Sequence, residues 1–468
     1  MLTVSRALAI AGLAVSATCG VASATPTVIY SNIVGDATSN IPGGGTWDTD
    51  FGFFTLNIST SGQYWLLNFQ DDNTDPEVLV AGSGFVGNTV LREDVDGFNG
   101  EVVQGIDSSG RINNAGQWVV GADYDSSGAA DDVILGGNLS GLTTEYAREG
   151  GAIPESYGFG PGNTWDTLDT TAIDQSGRVF WISDGVDGPA FTSANDEFIA
   201  TSNNEVIAQK GVDVPGNQAL TNAPFDDFDL DDLHVSDDGS QWLVRGDIGT
   251  GVNDDALFVN GNIVIRENFT LSEVGITGAD ALTDPVDGLT GGIEQQFMAG
   301  NGDWYAHGTT IDSSGEPTSW AVRNGALIAA TGTETFVGSG EVWNDALDSG
   351  NRDFDVIAGN SLGDYILGGG VENGDQVLVL NGLVEVLRTG DGVDLDGNGL
   401  LDDGLFFSSF EFQETRLGDD LTVYSLVNFQ DAFGNPAGSG FISFVVPSPG
   451  AFGLFGLASM AGVVRRRR

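Results

Sequence analysis

The chain has 468 residues, too many for one simple hydrophobic core, and its 67 acidic against 16 basic residues give a formal net charge of −51. Such a surface repels nucleic acid and anionic membranes, because both are held by Lys and Arg that neutralise phosphate. Its one cysteine, Cys19, excludes a disulfide framework and a cysteine-based metal centre.

Acid excess alone can signal disorder, but 40% hydrophobic residues, with 27 Phe, 9 Trp and 8 Tyr, suffice for a packed core. The 70 glycines point to a β-rich chain with many tight turns. Residues 1–24 read as a secretory signal. Arg6 supplies the positive start, Ala7 to Val15 is an apolar run too short to span a bilayer, and Ala22 and Ala24 occupy the cleavage positions. The export translocon and signal peptidase are the expected partners of this segment.

From residue 25 to 446 one pattern recurs: a Gly-containing turn, an aromatic residue and a β-like run. The aromatics stand at Trp65, Trp118, Trp181, Trp242, Trp304, Tyr365 and Tyr424. A second apolar run follows each, and Asn260-Gly261, Asn324-Gly325 and Asn381-Gly382 join such a run to another. Asn-Gly between β-patterned runs marks a type I′ hairpin, since both central residues need positive φ. Each unit therefore holds four strands, A to D, and seven units predict an all-β, seven-bladed β-propeller. The last unit offers only three strands, at Phe406–Phe412, Leu421–Asn428 and Gly440–Val446. Thr27 to Ser31 matches the missing fourth, so the N-terminal strand is expected to close the ring.

Two loops share the spacing D-x-D-x-[S/N]-G-x-x-D-D. The first contains Asp123, Asp125, Ser127, Asp131 and Asp132; the second contains Asp394, Asp396, Asn398, Asp402 and Asp403. Oxygens at positions 1, 3 and 5, Gly at 6 and an acid at 9 suit Ca²⁺ and resemble EF-hand or dockerin loops. Ile134 and Leu405 replace the glutamate at position 12, so the expected affinity is weak, about 10⁻⁴–10⁻³ M. Chance Asp spacing competes with this reading in so acidic a chain. The first loop joins strands B and C, the second D and A, and these connections share a face opposite the tight A–B and C–D turns.

Only two histidines exist, His234 and His307, and neither accompanies a G-x-S-x-G elbow. No phosphate loop ending in Gly-Lys-Ser/Thr occurs. Paired carboxylates remain open as a catalytic device because Asp and Glu are everywhere.

The C-terminus places Pro447-Ser448-Pro449 before fifteen uncharged residues, Gly450 to Val464, and ends in Arg465-Arg466-Arg467-Arg468. As a helix the apolar run is about 22 Å long against a hydrocarbon core of about 30 Å. The layout resembles the PEP-CTERM sorting signal of Gram-negative bacteria over residues 446–468, with Ser448 in place of the usual glutamate. That resemblance implies an exosortase-like enzyme as partner, a membrane-inserted C-terminal helix, and delivery to the envelope or extracellular matrix. The chain thus divides into a signal (1–24), a propeller (25–446) and a sorting segment (447–468). The last strand leads straight into Pro447, so the tight-turn face should lie toward the membrane. The expected function is non-catalytic binding of glycans, partners or divalent cations, with extracellular polysaccharide as one candidate partner. The alternative is a secreted propeller-type polysaccharide hydrolase or lyase.

Overall fold

The computed structural model describes residues 25–33, 35–47, 55–70, 76–107, 110–124, 131–211, 225–228, 233–248, 255–286, 292–311, 317–344 and 354–446. Seven antiparallel sheets follow one another along the chain, spanning 55–92, 103–148, 168–209, 225–266, 293–330, 354–388 and 405–445. Each is a blade with strands in the order A-B-C-D; in blades 2 and 4 strand A is split into two short pieces that both pair with strand B. Every strand A touches strand A of both neighbouring blades, and the contact of Leu405–Leu417 with Thr55–Ile58 completes the circle. The chain is a seven-bladed β-propeller.

The ring closes as the strand count requires. Thr27–Ser31 pairs antiparallel with Pro436–Val445, from Thr27 opposite Ser443 to Ser31 opposite Gly440. It supplies strand D of blade 7. Val28, Ile29 and Tyr30 are buried, and the Tyr30 ring lies edge-on to Trp65 of blade 1 with centroids 5.8 Å apart. Strand C of that blade starts at Pro436 rather than Gly440; proline is tolerated as the first residue of a strand.

The cores lie between blades, where alternate residues of adjacent sheets face one another. In blades 1 and 2 the repeated aromatic fits a glycine across the sheet. Trp65 stands opposite Gly82 and Trp118 opposite Gly137. A Cβ on Gly82 would lie 2.1 Å from the Trp65 ring, and one on Gly137 2.5 Å from Trp118. Each indole N–H then donates to the C–D turn, to Gly84 O and Asn138 O at 2.9 Å. The three Asn-Gly turns have positive φ at both residues, as type I′ demands.

A second repeat holds the outer strands. The residue after strand D donates its backbone N–H to the carbonyl at the head of strand C in six blades. The pairs are Glu93–Glu77, Glu149–Asp132, Lys210–Glu197, Glu267–Asp255, Thr331–Ser319 and Thr389–Gln376, at 2.8–3.0 Å.

Candidate functional site

The loop-face acids belong to this scaffold before they belong to any ligand. Glu93 Oε2 accepts Glu77 N at 2.7 Å, and Glu149 Oε2 accepts Asp131 N at 3.0 Å and Asp132 N at 3.4 Å. The head of strand C also reaches the next blade. Glu77 accepts Ile106 N, Asp132 Oδ2 accepts Leu168 N at 3.0 Å, and Gln376 Oε1 accepts Phe410 N at 3.0 Å. These side chains staple blade to blade by saturating strand-A N–H groups that would otherwise be stranded at the sheet edge.

Around the first Ca²⁺-like loop, Asp123 and Asp132 face each other across strands B and C of blade 2. Carboxylate oxygens of Asp131, Asp132 and Glu149 lie within 4.8 Å of one another and could hold a metal ion. Asp125 and Ser127 lie outside the described residues. Asp107, in the gap of the split strand A, rests its carboxyl over Gly121 of strand B, where a Cβ would come within 2.1 Å of it. Burial pushes Asp107 up to about 8, with Asp123, Asp169, Asp132 and Glu77 adding to the rise. Burial also lifts Asp132 to about 6, and raises Asp123, to which Asp131 contributes. A carboxyl that keeps its proton at neutral pH beside ionised neighbours can donate a proton or a hydrogen bond.

In the second loop, oxygens of Asp394, Asp396 and Asp403 lie within 4.8 Å of one another and could likewise hold a metal ion. Asp394 is buried, and its carboxylate accepts Asn398 N at 3.1 Å and Gly399 N at 2.8 Å. Asn398 Oδ1 accepts Leu400 N at 2.7 Å, and Asp403 Oδ2 accepts Leu395 N at 2.7 Å. Asp402 stands outside the group of three. The backbone of Asp394 bonds the start of the ring-closing strand: Val28 N donates to Asp394 O and Asp394 N to Pro26 O, both at 3.0 Å. This loop therefore sits at the outer rim of blade 7, beside its strand D.

On the axis lies a cavity of about 80 Å³ to which every blade contributes, through Ile58, Arg111, Ala172, His234, Phe297, Gly359 and Arg416 among others. Three side chains meet across its tight-turn end. Thr60 Oγ1 of blade 1 donates to Asp237 Oδ1 of blade 4 at 2.5 Å, and Gln175 Nε2 of blade 3 donates to the same oxygen at 3.0 Å. Burial, then Arg111 and Arg416, hold His234 well below the usual imidazole range, so it is neutral. His307 is buried on strand B of blade 5, its Nδ1 3.7 Å from Glu294. Two guanidiniums and a neutral imidazole suit a small anion better than proton transfer.

No protein-family model matches the chain, and no curated protein matches it in sequence. Solved structures similar to it include the polysaccharide lyase Uly1, at 11% identity and TM-score 0.41 over 91% of this chain and 100% of that one. An oligogalacturonate lyase in complex with manganese is similar at 10% identity and TM-score 0.40 over 85% and 89%. The β-propeller domain of the Trilobed protease from Pyrococcus furiosus is similar at 7% identity and TM-score 0.39 over 84% and 94%. At such values the likeness bears on no activity.

The D-x-D-x-[S/N]-G-x-x-D-D spacing marks the two loops but not Glu77, Asp107, Glu149 or Asp169. One signal was present: an acid opens or directly precedes strand C at 77, 132, 197 and 255, about 12 to 16 residues after Trp65, Trp118, Trp181 and Trp242. Asp107 and Asp169 carry no such signal, since only blade-to-blade approach brings them together. The residues expected for leader cleavage, Ala22 and Ala24, and for sorting, Pro447, Ser448, Pro449 and Arg465 to Arg468, lie outside the described residues. So does the expected C-terminal helix; among the described residues no helix is long and apolar enough to cross a membrane.

Proposed function

We propose that this is an exported surface protein, held at the envelope or in the matrix by residues 447–468, that binds glycans, partners or divalent cations without transforming them. The observation that carries this reading is the engagement of the loop-face carboxylates Glu77, Glu93, Asp132 and Glu149 with backbone N–H groups. Groups so fixed present oxygens to a ligand but are poorly free to shuttle protons. Screening residues 25–446 against a panel of acidic and neutral polysaccharides tests it. Retention without new chain ends is expected, and cleavage of any panel member would overturn it.

Ca²⁺ is the cation this reading favours, at Asp394, Asp396 and Asp403 first and at Asp131, Asp132 and Glu149 second. Weak hard-cation binding fits carboxylate oxygens without a bidentate glutamate at position 12. Millimolar Ca²⁺ should raise the Tm of residues 25–446 relative to chelator, because an ion bound only by the folded state stabilises it. Identical melting curves would remove calcium from the account.

The alternative, a polysaccharide hydrolase or lyase, draws on Asp107, whose raised pKa beside Asp123 and Asp132 suits a general acid. It would gain support only from cleavage that Asp107→Asn abolishes.

A further inference from the structure

The large apolar side chains left in water are not spread evenly over the tight-turn face. Phe85 and Val86 form the C–D turn of blade 1, Leu362 and Leu383 tip the A–B and C–D turns of blade 6, and Val445 ends strand C of blade 7, all 55–71% exposed. Among the described residues, the tight turns of blades 2 to 5 expose no large hydrophobic; they carry Asn114, Ser140, Asn203, Ser240 and Asn301 instead. Scattered exposed apolar residues need no explanation, whereas their confinement on this face to blades 6, 7 and 1 does.

The three blades that carry these residues adjoin one another at their A–B turns. Ser361 N of blade 6 donates to Asp419 Oδ1 of blade 7 at 2.8 Å, and Asp419 N donates to Thr60 O of blade 1 at 2.9 Å. The group is also centred on the chain's exit. Val446 N donates to Leu421 O in the A–B turn of blade 7 at 2.9 Å, which fixes the last described residue on this face. Only Pro447-Ser448-Pro449 separates it from the apolar run that begins at Gly450.

Three residues reach at most about 10 Å. One headgroup layer of a bilayer is about 5–7 Å thick. If residues 450–464 enter a bilayer, the tether spans little more than that layer, and blade 7 is held against the headgroups. The flanking blades 6 and 1 must then meet the same surface. Their turns offer what an interface accepts: no charged residue at Ser59–Tyr64 or Ser83–Val86, and acids in blades 6 and 7 already bonded within the protein. Asp364 Oδ1 accepts Asn381 Nδ2 at 2.7 Å and Asp420 Oδ1 accepts Thr422 N at 2.9 Å.

We infer that the propeller rests tilted on the lipid surface, with Phe85, Val86, Leu362, Leu383 and Val445 dipped into the headgroup boundary and blades 3 and 4 lifted away. This rests on the reading of residues 447–468 as a membrane segment. The occupant is lipid and not a protein partner, because the patch surrounds the point from which an apolar, arginine-ended segment departs.

The chain from residue 25 onward contains no cysteine, so single-cysteine probes are clean. Residues 25–468 carrying Phe85→Cys, Leu362→Cys, Ser140→Cys or Ser240→Cys, each labelled with a polarity-sensitive fluorophore, would be reconstituted in phosphatidylcholine vesicles. The expected result is a blue shift and protection from aqueous iodide at 85 and 362, with neither at 140 and 240. An equal response at all four positions, or none at 85 and 362 in vesicle-bound protein, overturns the tilt while leaving the anchor standing. Failure of residues 25–468 to bind vesicles more than residues 25–446 overturns both. Protection at 85 and 362 without vesicles would make the chain's own tail the occupant and overturn the lipid contact.

Discussion

Deleting residues 25–32 should destabilise the propeller by about 5 kcal/mol or more, the largest effect expected of any short deletion here. Val28, Ile29 and Tyr30 are each buried, and covering such a side chain is worth about 1.5–3 kcal/mol. The deletion also strips the outer edge of Pro436–Val445 of its partner, leaving a row of unpaired N–H and C=O groups. A lower urea midpoint and a greater tendency to associate are expected. A synthetic peptide of residues 25–33 should restore the midpoint by adding back as a strand. A deletion variant with the parent's midpoint would show that ring closure contributes nothing to stability.

The second large effect is a pH dependence centred on Asp107. Its folded-state value of about 8 lies far above the value of about 3.9 for an unperturbed aspartate. The folded protein therefore holds a proton that the unfolded chain releases between those values. The associated stability is fully present below about pH 4, falls as pH rises, and is gone once pH passes about 8. Allowing for screening by water at the loop face, the loss is about 3 kcal/mol. Asp107→Asn keeps the shape and removes the charge. It should match the parent near pH 4 and exceed it in stability at pH 8–9. Denaturation midpoints measured across that range check this; parallel curves for parent and variant would refute it.

What the sequence made legible was what repeats locally. The aromatic of strand B, the Asn-Gly turns and the odd strand at Thr27–Ser31 each depend on a few adjacent residues, and together they dictate seven blades and the closure. The staples from strand D back to strand C escaped detection because the bond is made by the backbone, so Glu93, Lys210 and Thr331 serve alike. The grouping of Asp107 with Asp123, Asp132 and Asp169 escaped for another reason: it needs two blades to approach at a set angle, which no spacing along the chain encodes. The loop spacing includes Asp131, Asp132, Asp394, Asp396 and Asp403, whose carboxylates fall into two acidic groups, but not Glu149, which joins the first group from the far end of strand D.

The pairing of Thr27–Ser31 with Pro436–Val445 also sets an order of events. The first strand of the ring waits for a partner more than 400 residues later, and in a chain exported N-terminus first it would cross the membrane long before that partner. Until then both remain open edges, and blade 7 is a three-stranded sheet. Such a contact lies at the far end of the contact-order scale, so closure should be the slow, final step of folding. The interval before it is when the chain is most exposed to edge-to-edge association. Export and maturation would have to shelter a nearly finished ring rather than a nascent chain.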